Sequence, residues 1–336
     1  MPALRVCVVG PGAVGGVLAG ALHRGGAHVS LLGRPGAHLD ALQERGLVLR
    51  TAAARGEDAR EVVLRLQAAS DARDVGPVDV VVLAVKTTGL WSVAPAVRPL
   101  LHAGTVLVPA VNGVPWWFLH GLGGRLDGHP LASVDPGGVL TRHLDPARVV
   151  GCVVHLAASV PEAGVVAHAS GRGLILGDAS RPGSARVRPV TDVLTAGGLE
   201  VTLAEGPAAI REQVWVKLLG NVSFNPVSAL TGATLEQIAT DPAGARTCGA
   251  IITETARVGE ALGITVDITT EQRIAMARRL GAVRTSMLQD ADAGRPLETG
   301  ALVGAVSELG ALLAVPTPVT DAVLALLQLR GSVLTG

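Results

Sequence analysis

Gly10-Pro11-Gly12-Ala13-Val14-Gly15 follows directly on a short apolar run, Leu4 to Val9, and leads directly into a helical pattern from Ala13 to His23. No other stretch restricts the fold as much. A β-branched run of that length reads as a strand buried on both faces. A Gly-x-Gly-x-x-Gly turn between such a strand and a helix marks a dinucleotide-binding βα unit. The first glycine makes the tight turn, the second lets a pyrophosphate approach the backbone, and the third brings helix and strand close. The helix start, with Ala13 and Val14 in its first turn, then presents amides and the positive end of the dipole to the anion. In a chain of 43 glycines the bare pattern would be weak, and its place between strand and helix gives it weight.

The following segments extend this unit. His28 to Leu32 reads as the second strand. A fold selective for NAD places Asp or Glu near the end of that strand to bind the ribose 2′-hydroxyl. Here the strand ends in Leu32-Gly33-Arg34-Pro35, with no carboxylate. Arg34 offers a planar fork suited to a 2′-phosphate, which favours NADP(H); its ordinary alternative is a solvated loop residue. Leu47 to Leu49 and Glu61 to Leu66 read as a pair of strands around a polar loop. Asp79 to Val85 and Thr105 to Val111 read as buried strands that end in Lys86-Thr87 and Asn112-Gly113. Ligands bind outside the carboxyl ends of such strands, so Lys86 and Asn112 are candidates for the cofactor end of the site.

Pro115-Trp116-Trp117-Phe118 holds three of the six aromatic residues. It reads either as an apolar wall or lid beside the cofactor, or as a helix packed on the sheet. Gly151 to Val160, Gly164 to Ala169 and Leu174 to Leu176 read as antiparallel strands, Val187 to Thr195 as a helix, and Leu199 to Leu203 as a last strand. The length suggests two domains. Gly206-Pro207 sets the expected boundary, with Pro207 in the first turn of a helix. Residues 1–206 form the dinucleotide-binding domain and residues 207–336 the second domain.

After Pro207 the pattern is helical nearly throughout: Leu235 to Ala239, Ala250 to Leu262, Thr270 to Met287, Gly300 to Ala314 and Val319 to Leu329. Lys217, Asn221 and Asn225 stand at i, i+4 and i+8, one stripe along a helix face. Pro226 should kink or end that helix just after Asn225. The other residues of Val214 to Pro226 are mostly apolar, and a cation and two amides on a buried helix are costly without partners. A ligand bearing carbonyl, hydroxyl and carboxylate oxygens would supply them. The chain has 28 Lys plus Arg, yet Lys86 and Lys217 are its only lysines, and Asn112, Asn221 and Asn225 its only asparagines. These residues remain where Arg or Asp cannot substitute: Lys can release a proton and Arg cannot. Ser286, on an expected helix, and Glu298, just past the Gly294-Arg295-Pro296 turn, belong to a second polar cluster. Capping is the ordinary alternative for Glu298.

A formal net charge of zero gives no electrostatic case for nucleic acid or an anionic membrane. No apolar run is long enough to span a bilayer, and no signal peptide is evident. The three cysteines, Cys7, Cys152 and Cys248, are far apart, with neither metal spacing nor a disulfide framework. These features point to a reducing cytoplasm and to no metal. Hydrophobic residues at 49% suffice for a large core, and the helical half has apolar surface for a core or a homodimer interface.

Taken together, these pieces resemble the ketopantoate reductase (2-dehydropantoate 2-reductase) family over nearly the whole chain. The carrying motifs are the glycine loop, Val85-Lys86, Asn112-Gly113, Trp215 to Asn225, Ser286-Met287-Leu288-Gln289-Asp290, and Arg295-Pro296-Leu297-Glu298. The resemblance implies a Rossmann-like domain followed by an all-helical domain, and NADPH-dependent reduction of ketopantoate to pantoate in pantothenate biosynthesis. It implies that Lys217 is the general acid and that Glu298 is the acidic residue near the lysine, the substrate hydroxyl and the cofactor. It implies that Asn221 and Asn225 contact the substrate, that Ser286 holds its carboxylate, and that Lys86 and Asn112 sit at the nicotinamide end, Asn112 also facing substrate. Three departures bear on the substrate: Gly300 replaces a frequent acid, Val111 replaces the usual Gln before Asn-Gly, and the Pro115 to Phe118 insert is extra. Two alternatives stay open: a relative acting on another, bulkier 2-oxo or 2-hydroxy acid, and a cofactor-sensing protein without turnover.

Overall fold

The structure, a computed structural model, describes residues 3–52, 60–181, 183–206 and 208–335. The expected placement of Pro207 in a first helical turn lies outside the described residues. The chain divides into two compact units, Met1–Val111 with Val139–Ile210, and Asn112–Gly138 with Arg211–Gly336. The segment Asn112–Gly138 therefore packs with the helical half, although it lies within the first 206 residues.

The first unit opens with β1 (Arg5–Val9), α1 (Ala13–Arg24), β2 (His28–Leu32), α2 (Ala37–Glu44), β3 (Leu47–Thr51), β4 (Arg60–Leu64), β5 (Gln67–Ala69), β6 (Val80–Leu83), α3 (Thr87–Ala96) and β7 (Val106–Pro109). It continues with α4 (Val139–His143), β8 (Val150–Glu162), β9 (Val165–Asp178), α5 (Arg188–Ala196) and β10 (Glu200–Leu203). One sheet has the order β5-β2-β1-β6-β7, all parallel. Its central strand explains the Val-rich run: Val6, Cys7 and Val8 are fully buried because helices or strands cover both faces. The second sheet has the order β10-β9-β3-β4, with β8 antiparallel to β9. Helix α1 is buried from Gly15 to Leu22, on nearly all of its faces, as an all-apolar helix requires.

In one place here the structure departs from expectation. Gly164 to Ala169 and Leu174 to Leu176 are not separate strands but parts of the single strand β9. Gly171, at φ +74°, lies within it, and the register against β8 slips between His155 and Ala157. A bulge absorbs the glycine without ending the strand.

The second unit contains α6 (Ala209–Thr231), α7 (Leu235–Thr240), α8 (Pro242–Ala261), α9 (Thr270–Leu280), α10 (Ser286–Asp292), α11 (Ala305–Leu313) and α12 (Pro318–Thr335). Among the described residues no helix is long and apolar enough to cross a membrane. Two expectations are corrected here. Of the two outcomes expected at Pro226, a kink or an end, the end does not occur: the stripe helix runs on to Thr231. Proline in a helix interior costs about 3 kcal/mol. Tertiary burial offsets that cost, since Val222, Ser223, Phe224, Val227 and Ala229 are all buried. The expected helix Thr270 to Met287 is instead two. Gly281, at φ +75°, closes α9, and the Thr285 side chain caps α10 by accepting from the Leu288 amide at 3.1 Å.

The aromatic segment is not a helix packed on the sheet. Trp117 and Phe118 are buried in the second unit, and Phe118 stacks on Trp215 of α6 with ring centroids 5.6 Å apart. Two carboxylate hydrogen bonds hold the later part of Asn112–Gly138: Glu308 of α11 accepts from the amides of Ala132 and Ser133 at 2.7 and 2.8 Å.

Candidate functional site

In the first unit the glycine loop has the shape of an anion cradle. Gly10 sits at φ +86°, a conformation that favours glycine, and its amide donates to the Leu32 carbonyl at 2.9 Å, tying the loop to the end of β2. A Cβ at Gly15 would land on the Gly10 carbonyl oxygen and meet the Ala84 side chain at 3.1 Å, so this glycine sets the close approach of α1 to the sheet. Gly12 differs: no heavy atom lies within 4 Å of its Cβ position. Gly12 also provides no side-chain cap for α1, whose first turn holds no acidic residue. Backbone donors at a helix start, open space above the second glycine and no competing carboxylate suit a pyrophosphate. Arg34 is exposed just beyond β2, and its side chain has no hydrogen-bond or ion-pair partner among the described residues. Lys86 stands at the N-cap position of α3, after β6.

In the second unit the stripe on α6 is real. Lys217 and Asn221 are half-buried and Asn225 is buried. Lys217 Nζ donates a hydrogen bond to Asn112 Oδ1 at 2.8 Å. Asn112 is therefore brought to the lysine, although 105 residues separate them. Two residues on from Asn112, the Val114 amide donates to the Ala301 carbonyl at 2.8 Å. Ala301 lies in a π-helical turn, Gly300–Gly304, that begins just after Glu298. Glu298 is half-buried beside this turn. One backbone hydrogen bond thus joins the Asn112 segment to the Glu298 segment, and π-turns recur at functional sites.

Asn221 and Asn225 open into a cavity of about 290 Å³ between α6 and α9. Its walls are mostly apolar, with Phe224 from α6 and Met276 and Leu280 from α9. No hydrogen-bond partner for the Asn221 or Asn225 side chain is found among the described residues. Amides at the wall of a mostly apolar cavity are free to pair with the polar groups of a ligand that enters it.

Arg273 also lines this cavity, and sequence reasoning missed it. Arginine is common throughout the chain, so its type carried no signal. The available signal was Gly220, a glycine inside a buried helix, which usually has a packing reason. That reason is visible: a Cβ at Gly220 would land on the Arg273 guanidinium. Ser286 is the first residue of α10 and is exposed, and it is not among the residues lining the cavity. Nearby, the Leu235 amide donates to the Val283 carbonyl at 3.0 Å.

Comparison with known proteins follows the same division of the chain. Residues 6–181 match the family model "Ketopantoate reductase PanE/ApbA", and residues 209–331 match "Ketopantoate reductase PanE/ApbA C terminal". A 2-dehydropantoate 2-reductase from Mesorhizobium japonicum is 41% identical over 329 residues, 97% of each chain. A crystal structure of a candidate ketopantoate reductase from Ralstonia solanacearum MolK2 superposes with a TM-score of 0.90 at 40% identity, over 99% of each chain. D-mandelate dehydrogenase, solved with NADH and anilino(oxo)acetate, shares the fold at a TM-score of 0.82 and 19% identity, over 99% of this chain and 100% of that one.

Proposed function

We propose, since the chain belongs to the ketopantoate reductase family, that it reduces 2-dehydropantoate to pantoate with NADPH, a step of pantothenate biosynthesis. The observation that carries this reading is the hydrogen bond from Lys217 Nζ to Asn112 Oδ1, on a helix whose next two turns carry Asn221 and Asn225 toward a cavity. A sensor that only binds cofactor has no use for a positioned ammonium and two amides that have no partner among the described residues.

Residues 1–206 would hold the nucleotide and residues 207–336, together with Asn112, the acid. The backbone of Gly10, Gly12, Ala13, Val14 and Gly15 receives the pyrophosphate, Arg34 the 2′-phosphate, and Lys86, Asn112 and Glu298 the nicotinamide end. When bound, the reduced nicotinamide supplies a hydride to the ketone carbon. Lys217 stabilises the charge that develops on the ketone oxygen and delivers a proton to it from Nζ. Proton delivery of this kind contributes about 10²- to 10⁴-fold. Asn112 fixes the ammonium, and Glu298 orients lysine and product hydroxyl. Asn221, Asn225 and Ser286 hold the acid's polar groups, so that positioning adds to the rate.

A second reading keeps the mechanism and changes the acid. The apolar cavity beside the stripe favours a substrate bulkier than ketopantoate, and D-mandelate dehydrogenase shares the fold. The test is oxidation of NADPH, followed by loss of absorbance, against ketopantoate and a panel of bulkier 2-oxo acids. Turnover of ketopantoate above the panel supports the first reading. Turnover of a bulkier acid alone supports the second. Tight cofactor binding with no turnover of any acid would overturn both.

A further inference from the structure

Arg273 is a half-buried cation with no anionic partner among the described residues. Its guanidinium lies against Gly220 on α6, at the wall of the cavity that holds Asn221 and Asn225. Among the described residues no carboxylate lies within ion-pairing distance of it. Its side-chain contact is a weak one, Nη1 to the Met276 sulfur at 3.9 Å. Burial lowers its pKa, and no acidic neighbour opposes that shift. The half-buried Arg186 and the fully buried Arg211 are partnered: Arg186 forks onto Asp178, and Arg211 donates to the Phe118 carbonyl at 2.8 Å. A desolvated guanidinium facing an apolar cavity is stabilised by an oxyanion, and its fork matches a carboxylate with two parallel hydrogen bonds.

Position along α6 says which anion. Gly220 lies three residues on from Lys217, about 4.5 Å further along the helix axis, and Asn225 lies eight on, about 12 Å. In a 2-oxo acid the carboxylate is bonded directly to the ketone carbon. A guanidinium seated on Gly220, within one turn of Lys217, can therefore meet the carboxylate of an acid whose ketone oxygen meets the ammonium, and Asn225, further along the same stripe, can meet its substituent. We infer that Arg273, seated on Gly220, is the specificity-determining anchor for the carboxylate of a 2-oxo acid whose substituent fills the apolar cavity toward Asn225. The inference rests on the 2-oxo acid reading above and departs from it at one point: the carboxylate goes to Arg273, outside the motifs that carry the family resemblance, and not to Ser286, which is exposed and does not line the cavity.

Gly220 is part of the device. Alanine there would displace the guanidinium without removing its charge, while raising helix propensity.

The experiment compares wild type, Arg273→Gln and Gly220→Ala with the best 2-oxo acid of the panel and with its uncharged amide. Loss of one partner of a desolvated charge pair corresponds to a change of at least about 30-fold. Both variants should therefore raise KM for the acid by about 30-fold or more, with kcat changed far less, and leave KM for the amide nearly unchanged. Retained KM for the acid, or an equal rise for acid and amide, would overturn the inference. Thermal melting of each variant separates a folding defect from lost recognition. If wild type turns over no 2-oxo acid, the functional reading fails by itself. Calorimetric titration with pantoate and with mandelate then tests the anion site alone. Binding to wild type but not to Arg273→Gln sustains it, and equal binding to both proteins, or binding to neither, overturns it.

Discussion

Lys217 Nζ lies 2.8 Å from Asn112 Oδ1 and donates to it. The contact joins α6 to the segment Asn112–Gly138, which is held in the same unit by Glu308 and by the Val114 to Ala301 hydrogen bond. An ammonium fixed in this way has fewer positions to sample than a solvated lysine. That restriction is what a proton donor needs to meet a ketone oxygen at hydrogen-bond distance.

Lys217→Ala should lower turnover by at least about 10²-fold, in line with loss of a general acid. Affinity for NADPH, measured by fluorescence titration, should be nearly kept. Asn112→Ala leaves the ammonium in place and removes this hydrogen bond. It should cost about tenfold or more, the worth of one hydrogen bond to a charged group. Normal turnover of the lysine variant would remove Lys217 from the mechanism.

The glycine loop separates a folding role from a binding role. Gly15→Ala sets a methyl group against the Gly10 carbonyl and Ala84, and should lower the melting temperature of the cofactor-free protein. Gly12→Ala meets nothing within 4 Å, so the cofactor-free protein should melt as wild type does. Its methyl group would occupy the space a pyrophosphate needs, and dinucleotide affinity should fall at least about tenfold. Unchanged affinity in Gly12→Ala would place the phosphates elsewhere.

Arg34 is exposed and has no partner among the described residues at the end of β2, so its removal should leave stability within about 0.5 kcal/mol. Arg34→Ala should weaken NADPH much more than NADH, because only the former carries the 2′-phosphate. Equal weakening of both cofactors would show that Arg34 does not read that group.

Local signals predicted β1, β2 and the stripe of Lys217, Asn221 and Asn225 well, because buried runs, glycine turns and helical spacing act within a few residues. Three features were not local. Pro226 is tolerated inside α6 because distant side chains bury the turns around it, and no propensity near Pro226 reports that. Phe118 stacks on Trp215, a contact decided by where Asn112–Gly138 packs and not by its own pattern. Arg273 depends on Gly220, fifty-three positions earlier, and the pairing emerges only when α9 lies across α6. Gly281 and Thr285, by contrast, were readable as a helix stop and a new start, yet a continuous apolar periodicity masked them.

The buried thiols fix the alkaline limit of the fold. Cys7 and Cys248 are fully buried, and burial pushes each up to about 12 from an ordinary 9.0. Their folded pKa lies above the unfolded one, so the unfolded chain loses these protons first. The stabilisation is fully present below pH 9 and is lost as pH rises toward 12, at about 1.4 kcal/mol per pH unit for each thiol. The sequence has no Tyr and only two Lys, so few other groups titrate in that window. The denaturant midpoint should fall from pH 9 to pH 11 in wild type and fall less in the Cys7→Ala, Cys248→Ala double variant. At pH 8 a water-soluble disulfide reagent should label neither thiol in the native protein and both after unfolding. Labelling of native Cys7 or Cys248 at a rate near that of a free thiol would show that burial does not hold these groups protonated.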